Sequence, residues 1–515
     1  MIGEPREEKN VPLPQRFVSR LLSPVSRPPD NIAPMISGFP LGTDGWRGVI
    51  ADGCTFESVR RVASAAAEVY ARLPEGDSRR VVIGYDTRFA SPDLARAAAE
   101  VFARAGIAVL LGDRPIPTPA VSYHVRRLGL AGGLAITASH NPAHYNGVKI
   151  KTHRGSSAPP ELYEAVARAA GAADASAPGS SPPGEIRVAD LLSPYRADLA
   201  SRVRLDAIRS AGIFVLADAM HGAAGTLLED ILSGGSTRVV SFRSERDALF
   251  GGVNPEPIAS NLSAASERLL ALRCDLGVAQ DGDADRLGVL DSRGGFVSPH
   301  RVLALLLLHA FRRRGLSGGI ARTFSTSLLI DHVAAGLGAA LYETPIGFKY
   351  VAELMNRGDA VAGGEESGGY AFAFHLPERD GVFNALLLIE SLALGGQSLD
   401  RALEDLAAEF GSFAYGRRDV YLPAALIGEF LAEIKERPPA EVAGDRVSDV
   451  RDLDGVKYIL GDRGWLLHRL SGTEPMIRLY CEHEEESAVE KILDQAESRL
   501  RDFAEKRGVH PDGQN

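Results

Sequence analysis

The stretch Leu276-Gly277-Val278-Ala279-Gln280-Asp281-Gly282-Asp283-Ala284-Asp285-Arg286 is a short aliphatic run that ends in a polar loop. The same theme recurs along the chain. Val81 to Gly84 leads into Tyr85-Asp86-Thr87-Arg88, and Gly133 to Ile136 leads into Thr137-Ala138-Ser139-His140-Asn141-Pro142. Ile213 to Leu216 precedes Ala217-Asp218, and Ala360 to Ala362 precedes Gly363-Gly364-Glu365. Helical segments fit between these runs. Ser91-Pro92-Asp93 reads as an N-cap, a helix-start proline and a first-turn acid ahead of an Ala- and Leu-rich stretch. Strands alternating with helices predict α/β units built on mixed or parallel sheets. In such sheets ligands gather at the carboxyl ends of the strands, which is where these polar loops fall.

The chain has 515 residues, which at roughly 150 per domain gives three or four domains. Residues 1–40 carry repeated prolines and charges without the apolar core of a signal peptide, and read as a disordered or extended leader. A Ser-, Ala- and Pro-rich stretch from Gly171 to Pro183 reads as a linker. Another boundary follows the hairpin-like Leu287 to Val297, whose Ser292-Arg293-Gly294-Gly295 suits a turn. The rhythm then changes near the end, with hairpin-rich runs over Val456 to Leu467 and Met476 to Cys481 and a terminal helix from about Glu485. The expected domains are 41–190, 191–297, 298–410 and 411–515.

Composition narrows the function. With 67 Asp and Glu against 57 Lys and Arg the formal charge is −10, and no long basic run offers a nucleic acid a footprint. An anionic small substrate could still meet a local basic cluster. The longest apolar run, Val302 to Phe311, is broken by His309 and falls far short of the ~20 residues of a membrane span. Cys54, Cys274 and Cys481 lie too far apart in sequence for a disulfide framework or a four-ligand zinc site. A cytoplasmic, multidomain protein with no membrane or nucleic-acid partner is expected.

Asp281, Asp283 and Asp285 place three carboxylates at alternate positions of a tight loop, an all-oxygen set suited to Mg²⁺ or Ca²⁺. An EF-hand is excluded, because Arg286 and Ser292 stand where its Gly and Glu are needed. Ser139 follows an apolar strand and should be presented at a sheet's carboxyl edge, without the Gly-x-Ser-x-Gly frame of a hydrolase elbow. Read alone, its loop is equally an ordinary Ser-Asn turn, and Lys149 reads as a surface lysine sooner than as a proton carrier. Arg469-Leu470-Ser471-Gly472-Thr473-Glu474-Pro475, with Arg478 following, combines hydroxyls, a backbone-exposing Gly and guanidinium groups suited to phosphate. Gly364-Glu365-Glu366-Ser367-Gly368-Gly369 sets carboxylates beside a hydroxyl at a strand end, suitable acceptors for sugar OH groups. No P-loop sequence occurs.

Taken together with Gly42-Thr43-Asp44-Gly45-Trp46-Arg47-Gly48, these loops stand in the order of the α-D-phosphohexomutase superfamily, which the chain resembles from residue 42 to 480. The resemblance implies an α/β fold of four domains around a central cleft: three related α/β mixed-sheet domains and a smaller C-terminal α+β domain. It implies that Ser139 is carried as phosphoserine and that Asp281, Asp283 and Asp285 hold Mg²⁺ with a phosphoserine oxygen. Arg47, Lys149 and His140 then fall at catalytic positions. Arg286, Glu365 and Ser367 fall at substrate-binding ones. Arg469, Ser471, Gly472, Thr473 and Arg478 fall in the loop for the stationary phosphate.

Thr344-Pro345-Ile346-Gly347-Phe348-Lys349-Tyr350 resembles the glucose branch of the family, adding Thr344, Gly347 and Lys349 to the substrate contacts. Glu366 and Gly369 depart from the Gln- and His-bearing loop of phosphoglucosamine mutases. The implied activity is a phosphoglucomutase using hexose phosphates, with a hexose 1,6-bisphosphate as intermediate and activator; phosphomannomutase or dual activity is the alternative. Arg47, Lys149 and Arg286 would offset the roughly −3 left by phosphoserine, three aspartates and Mg²⁺. A haloacid-dehalogenase-type mutase would leave the Ser139 loop unexplained. A silent sugar-phosphate-binding homologue should have lost Ser139 or a carboxylate, yet each position is filled.

Overall fold

A computed structural model of the protein describes residues 44–172, 182–471 and 476–509. The leader, most of the expected linker, and Gly472 and Thr473 lie outside the described residues.

Three sheets share one topology. In the first, Arg80–Tyr85 lies between the parallel strands Ala108–Gly112 and Gly132–Ile136, and Tyr145–Thr152 returns antiparallel against the latter. In the second, Phe214–Asp218 lies between Arg238–Phe242 and Leu276–Gln280, and Leu287–Leu290 returns antiparallel. In the third, Gly319–Thr323 lies between Leu341–Thr344 and Ala360–Gly364, and Tyr370–Phe372 returns antiparallel. A helix crosses between each pair of parallel strands, as parallel connections require. The third strand of each unit then folds straight back through a short polar loop: residues 137–144, 281–286 and 365–369. Three of the loops singled out in the sequence are thus one connection, repeated.

The fourth sheet is antiparallel, ordered Ala414–Tyr421, Met476–His483, Gly464–Leu470, Val456–Ile459, Asp449–Arg451. Helices Ala424–Glu436 and Glu486–Glu505 pack on it. The expected mixed α/β domains and smaller C-terminal α+β domain are both present.

Apolar packing divides the molecule differently from its sheets. One continuous core runs from Val82 and Ile116 through Val215 and Leu276 to Ile320 and Leu386, joining the first three domains. Helix Gly381–Gly395 lies inside it, apolar on nearly every face, and is capped by Asp380, whose carboxylate accepts from the Phe383 N–H at 2.9 Å. The fourth domain closes its own core around Ile427, Phe430, Leu479, Ile492 and Leu500. It meets the third through a small cluster of Phe324, Ile459, Trp465, Leu467 and Tyr480.

One local expectation fails. Ser91 is the first residue of helix Ser91–Arg104 and does not cap it; Ala90 precedes it at φ 60°, with no side-chain cap. The Ser91 hydroxyl donates instead to Asp86 Oδ1 at 2.7 Å, so a tertiary partner outcompetes the local one. Among the described residues no single helix is long and apolar enough to cross a membrane.

Candidate active site

The first two hairpin loops meet face to face. Ser139 donates from Oγ to Asp281 Oδ2 at 2.8 Å, across 142 residues of sequence. Ser139 sits at φ 53°, a left-handed conformation that costs a residue with a Cβ about 1–2 kcal/mol. Thr137 helps hold it by accepting the Ser139 N–H at 2.8 Å. Gly282 is required for the approach of the two loops rather than for turning, since the positive φ of this loop falls on Ala284. A Cβ at Gly282 would stand 2.6 Å from the Ser139 carbonyl oxygen.

The three aspartates form a buried cluster whose ligand atoms all lie within 4.8 Å of one another. Ser139 and the three aspartates are each no more than 1% exposed. Asp281 Oδ1 accepts the N–H groups of Asp285 and Arg286 at 2.9 and 3.1 Å. Asp283 Oδ2 accepts from Thr118 Oγ1 at 2.5 Å. Asp283 Oδ1 and Asp285 Oδ1 are buried with no hydrogen-bond donor. Burial, with Asp285 and Asp283 alongside, pushes the Asp281 carboxyl well above the usual carboxylate range. Two orphaned carboxylate oxygens, in a cluster where one carboxyl resists ionisation, fit a hard divalent cation.

Lys149 reaches into this cluster. It is 1% exposed, not at the surface, and its Nζ stands 2.6 Å from Asp285, 2.8 Å from Asp283 and 3.0 Å from Asp44. Burial alone would lower its pKa, but those carboxylates more than reverse this and hold the amine protonated well above its ordinary range. Arg379, which the sequence did not single out, lies beside it. Its guanidinium pairs with Asp285 at 2.8 Å, with Asp44, and with Glu365 at 3.5 Å, thereby touching the first, second and third domains. Any side chain at Gly369 would collide with the Arg379 stem, so that glycine makes room for the arginine.

The other expected cations are aimed elsewhere. Arg286 pairs with Glu256 at 3.1 Å, and Arg47 donates to Asn141 Oδ1. The imidazole of His140 is held neutral, its pKa lowered by burial and by Arg286, Arg47 and Lys149. Its Nδ1 is buried without a partner. Glu365 is buried, and desolvation lifts its carboxyl to about 7 against the pull of Arg379. The loop of Glu365 leans on the second domain, where Leu287 N–H donates to the Gly368 carbonyl at 3.0 Å.

Toward the fourth domain burial is mixed, with Thr344, Arg469 and Ser471 buried. Ser367 and Lys349 are half-buried. Gly347, at φ 132°, begins helix Phe348–Arg357, and Lys349 lies over the Tyr350 ring at 5.2 Å. Thr344 is buried, its hydroxyl donated to the Pro345 carbonyl at 3.0 Å. Arg469 faces Arg478 across the hairpin and is held by Asp454 at 3.0 Å. The same Asp454 accepts the Ile346 N–H at 2.9 Å, which ties the Arg469 loop to the Thr344–Tyr350 loop. Ser471 closes the described end of that hairpin, its N–H on the Met476 carbonyl at 2.9 Å.

Comparisons with known proteins agree with this geometry. Family models for phosphoglucomutase/phosphomannomutase α/β/α domains I, II and III match residues 40–176, 193–294 and 298–410, and the C-terminal domain model matches 432–498. The chain is 32% identical over 455 residues to a phosphoglucomutase/phosphomannomutase of Thermococcus kodakarensis, covering 88% of this chain and 96% of that one. It is 31% identical over 472 residues to a phosphoglucosamine mutase of Frankia casuarinae, covering 89% and 97%. The fold matches that of a phosphoglucomutase/phosphomannomutase family protein from Burkholderia thailandensis with a TM-score of 0.75 at 24% identity, covering 92% and 99%. The chain belongs to the phosphoglucomutase/phosphomannomutase family of the α-D-phosphohexomutase superfamily, whose members are intramolecular phosphotransferases.

Proposed function

We propose that the protein is a phosphoglucomutase that interconverts glucose 1-phosphate and glucose 6-phosphate through a phosphoserine at Ser139 and a hexose 1,6-bisphosphate. The observation that carries this reading is the Ser139 hydroxyl held 2.8 Å from Asp281 inside a carboxylate cluster with two orphaned oxygens. Asp281, Asp283 and Asp285, with the Ser139 oxygen, would hold Mg²⁺, which supplies positive charge to the phosphoryl oxygens.

The remaining work falls to the chain's own groups. Environments that push two titratable groups apart assign a proton acceptor and a proton donor. Neutral His140 takes the proton of the attacking sugar hydroxyl as the bond from phosphorus to that oxygen forms. The bond from phosphorus to Ser139 Oγ breaks, and Lys149 returns a proton to the serine oxygen. After the bisphosphate turns over, the second transfer runs this in reverse, so both groups recover their starting protonation.

Glu365 and Ser367 accept and orient the sugar hydroxyls, Lys349 and Gly347 line the same end, and Arg469, Ser471, Gly472, Thr473 and Arg478 seat the stationary phosphate. We take Arg47 and Arg286 to turn onto the substrate's charge when it arrives, with the C-terminal domain closing over it to exclude water. Three buried, free cysteines suit a reducing compartment such as the cytoplasm.

A second reading, mannose or glucosamine phosphate as substrate, is favoured by the naming of the relatives, which include both phosphoglucomutase/phosphomannomutases and phosphoglucosamine mutases. The departure at Glu366 and Gly369, where Arg379 fills the space a side chain would need, supports glucose over glucosamine. A parallel turnover assay with glucose, mannose and glucosamine 1-phosphates, Mg²⁺ and bisphosphate decides. Highest kcat/KM on a substrate other than glucose 1-phosphate overturns the glucose reading, and no turnover of any overturns the mutase.

A further inference from the structure

The loop that carries Ser139 does not hold itself. The carbonyls of Ser139, Asn141, Pro142 and Tyr145 all point at one buried guanidinium, that of Arg88, which donates to them at 2.6, 2.6, 2.8 and 3.0 Å. Arg88 is 0% exposed and comes from the turn after Arg80–Tyr85, the central strand of the same sheet. Its Nε stands 3.1 Å from Asp86, whose carboxylate also accepts the hydroxyls of Thr137 and Ser91 at 2.6 and 2.7 Å. Charge is therefore balanced underneath the loop, while Arg88 Nε itself meets Asp86 as an ion pair without a hydrogen bond. A planar fork with five donors is the side chain suited to gathering several carbonyls at once.

The guanidinium also meets the second domain. Its face lies 4.9 Å from the ring of Phe250, a buried residue at φ 54° in the segment between Arg238–Phe242 and helix Ser263–Leu272. Arg246 of that segment donates to the Arg88 carbonyl at 3.3 Å. A Cβ at Gly282, in the aspartate loop, would lie 3.6 Å from Arg88 Nη2. The same group thus touches the serine loop, its own domain's anchor and the domain that carries the aspartates.

We propose that Arg88 is a positioning residue: by clamping four carbonyls of the Ser139 loop and stacking on Phe250 of the second domain, it fixes where Ser139 Oγ stands against the aspartate loop. The Ser139–His140 peptide is trans, so fixing the Ser139 carbonyl on Arg88 turns the His140 N–H to the opposite side. Removing the clamp frees both the serine and its neighbour at once.

The kinetic part of the test rests on the phosphoserine reading, and the exchange part does not. Arg88→Lys keeps the charge opposite Asp86 but replaces the fork with a point donor that cannot span four carbonyls. Amide exchange over residues 138–146 of the unphosphorylated full chain should rise about tenfold or more in Arg88→Lys, with helix Gly381–Gly395 unchanged. In turnover kcat should fall about a hundredfold while KM for the hexose phosphate stays within about threefold, because the sugar and phosphate grips lie on other loops. Phe250→Leu removes the stacked ring alone, and should raise the same exchange about threefold and lower kcat by a similar factor. It carries the test by itself if Arg88→Lys does not fold. Unchanged exchange over 138–146 in the folded variants, or a kcat loss matched by an equal loss of folded protein, overturns the clamp. A tenfold exchange contrast, together with turnover by the parent protein that leaves no phosphate on Ser139 after incubation with hexose 1,6-bisphosphate, supports the clamp and overturns the phosphoserine reading alone.

Discussion

The side of the cleft that carries Ser139 and the three aspartates belongs to domains joined by one continuous core, and its polar groups are tied across it. The side that carries Lys349, Arg469 and Ser471 spans the third domain and a fourth that has a core of its own. The first side is buried and cross-linked by Lys149, Arg379, Arg88 and Thr118. The second is held by bridges between the third and fourth domains, among them Asp454 between Arg469 and Ile346, Glu482 on the Leu328 N–H at 2.7 Å and Lys457 Nζ on the Phe324 carbonyl at 2.7 Å. The contrast matches the two tasks. Phosphoryl transfer depends on positioning and charge, which need a rigid frame. Admitting a sugar phosphate and turning a bisphosphate need a part that opens.

If the rigid side performs the chemistry, changes there should cost far more turnover than changes on the open side. Ser139→Ala should abolish turnover by on the order of 10⁴-fold or more, with the fold unchanged by circular dichroism. Residual activity above a hundredth of the parent would break the division at once. Asp283→Asn comes next. It removes one of three anionic ligands and one partner of Lys149, so Mg²⁺ affinity by calorimetry and kcat should fall together by about a hundredfold. Full activity at low Mg²⁺ would show that the cluster is not the metal site.

On the open side, Arg469→Ala should raise KM about ten- to a hundredfold, from the loss of a charge-assisted hydrogen bond worth about 1.5–3 kcal/mol. The loss should appear in both reaction directions, and Ser139 should still become phosphorylated. A defect confined to one direction would mean two separate phosphate seats and no shared cleft.

The smallest effect is one of pH. Burial lifts the Glu365 carboxyl to about 7, and only its ionised form accepts from sugar hydroxyls without competition from its own proton. KM should therefore rise a few-fold as pH falls through about 7, and this rise should vanish in Glu365→Gln. Because the folded pKa is raised, the group's contribution to stability is present in full below the ordinary carboxylate pKa and is lost as pH rises to about 7. A KM that is flat from about pH 8 to 6 would remove Glu365 from the sugar contacts.

The loops were legible in sequence because each breaks an aliphatic strand with residues that a strand does not need: Asp281, Asp283 and Asp285, Ser139, Glu365, Arg469. What the sequence does not reveal is what holds them. Thr118 reaches Asp283 across 165 residues, and Arg379 reaches Asp44 across 335. Neither carries a local signal: Thr118 starts an ordinary helix and Arg379 stands among charged neighbours in Glu378-Arg379-Asp380. Arg88 reads in sequence only as part of a polar turn, since nothing in its own segment tells that four carbonyls from residues 139–145 converge on it. The Ser91 cap failed for the same reason, a tertiary acceptor at Asp86. Three loops with unrelated sequences also hid their common topology, because one hairpin connection imposes no shared residue type.

If the rigid side carries the phosphoryl group on Ser139, the phosphate can be read directly. The purified protein is incubated with hexose 1,6-bisphosphate and Mg²⁺, digested, and its phosphopeptides are mapped by mass spectrometry with and without hydroxylamine. One acid-stable, hydroxylamine-resistant phosphate should map to Ser139, disappear on addition of excess hexose monophosphate and reappear with the bisphosphate. A hydroxylamine-labile phosphate on Asp281 or Asp283, or turnover with no phosphate on Ser139 at any point, would contradict it.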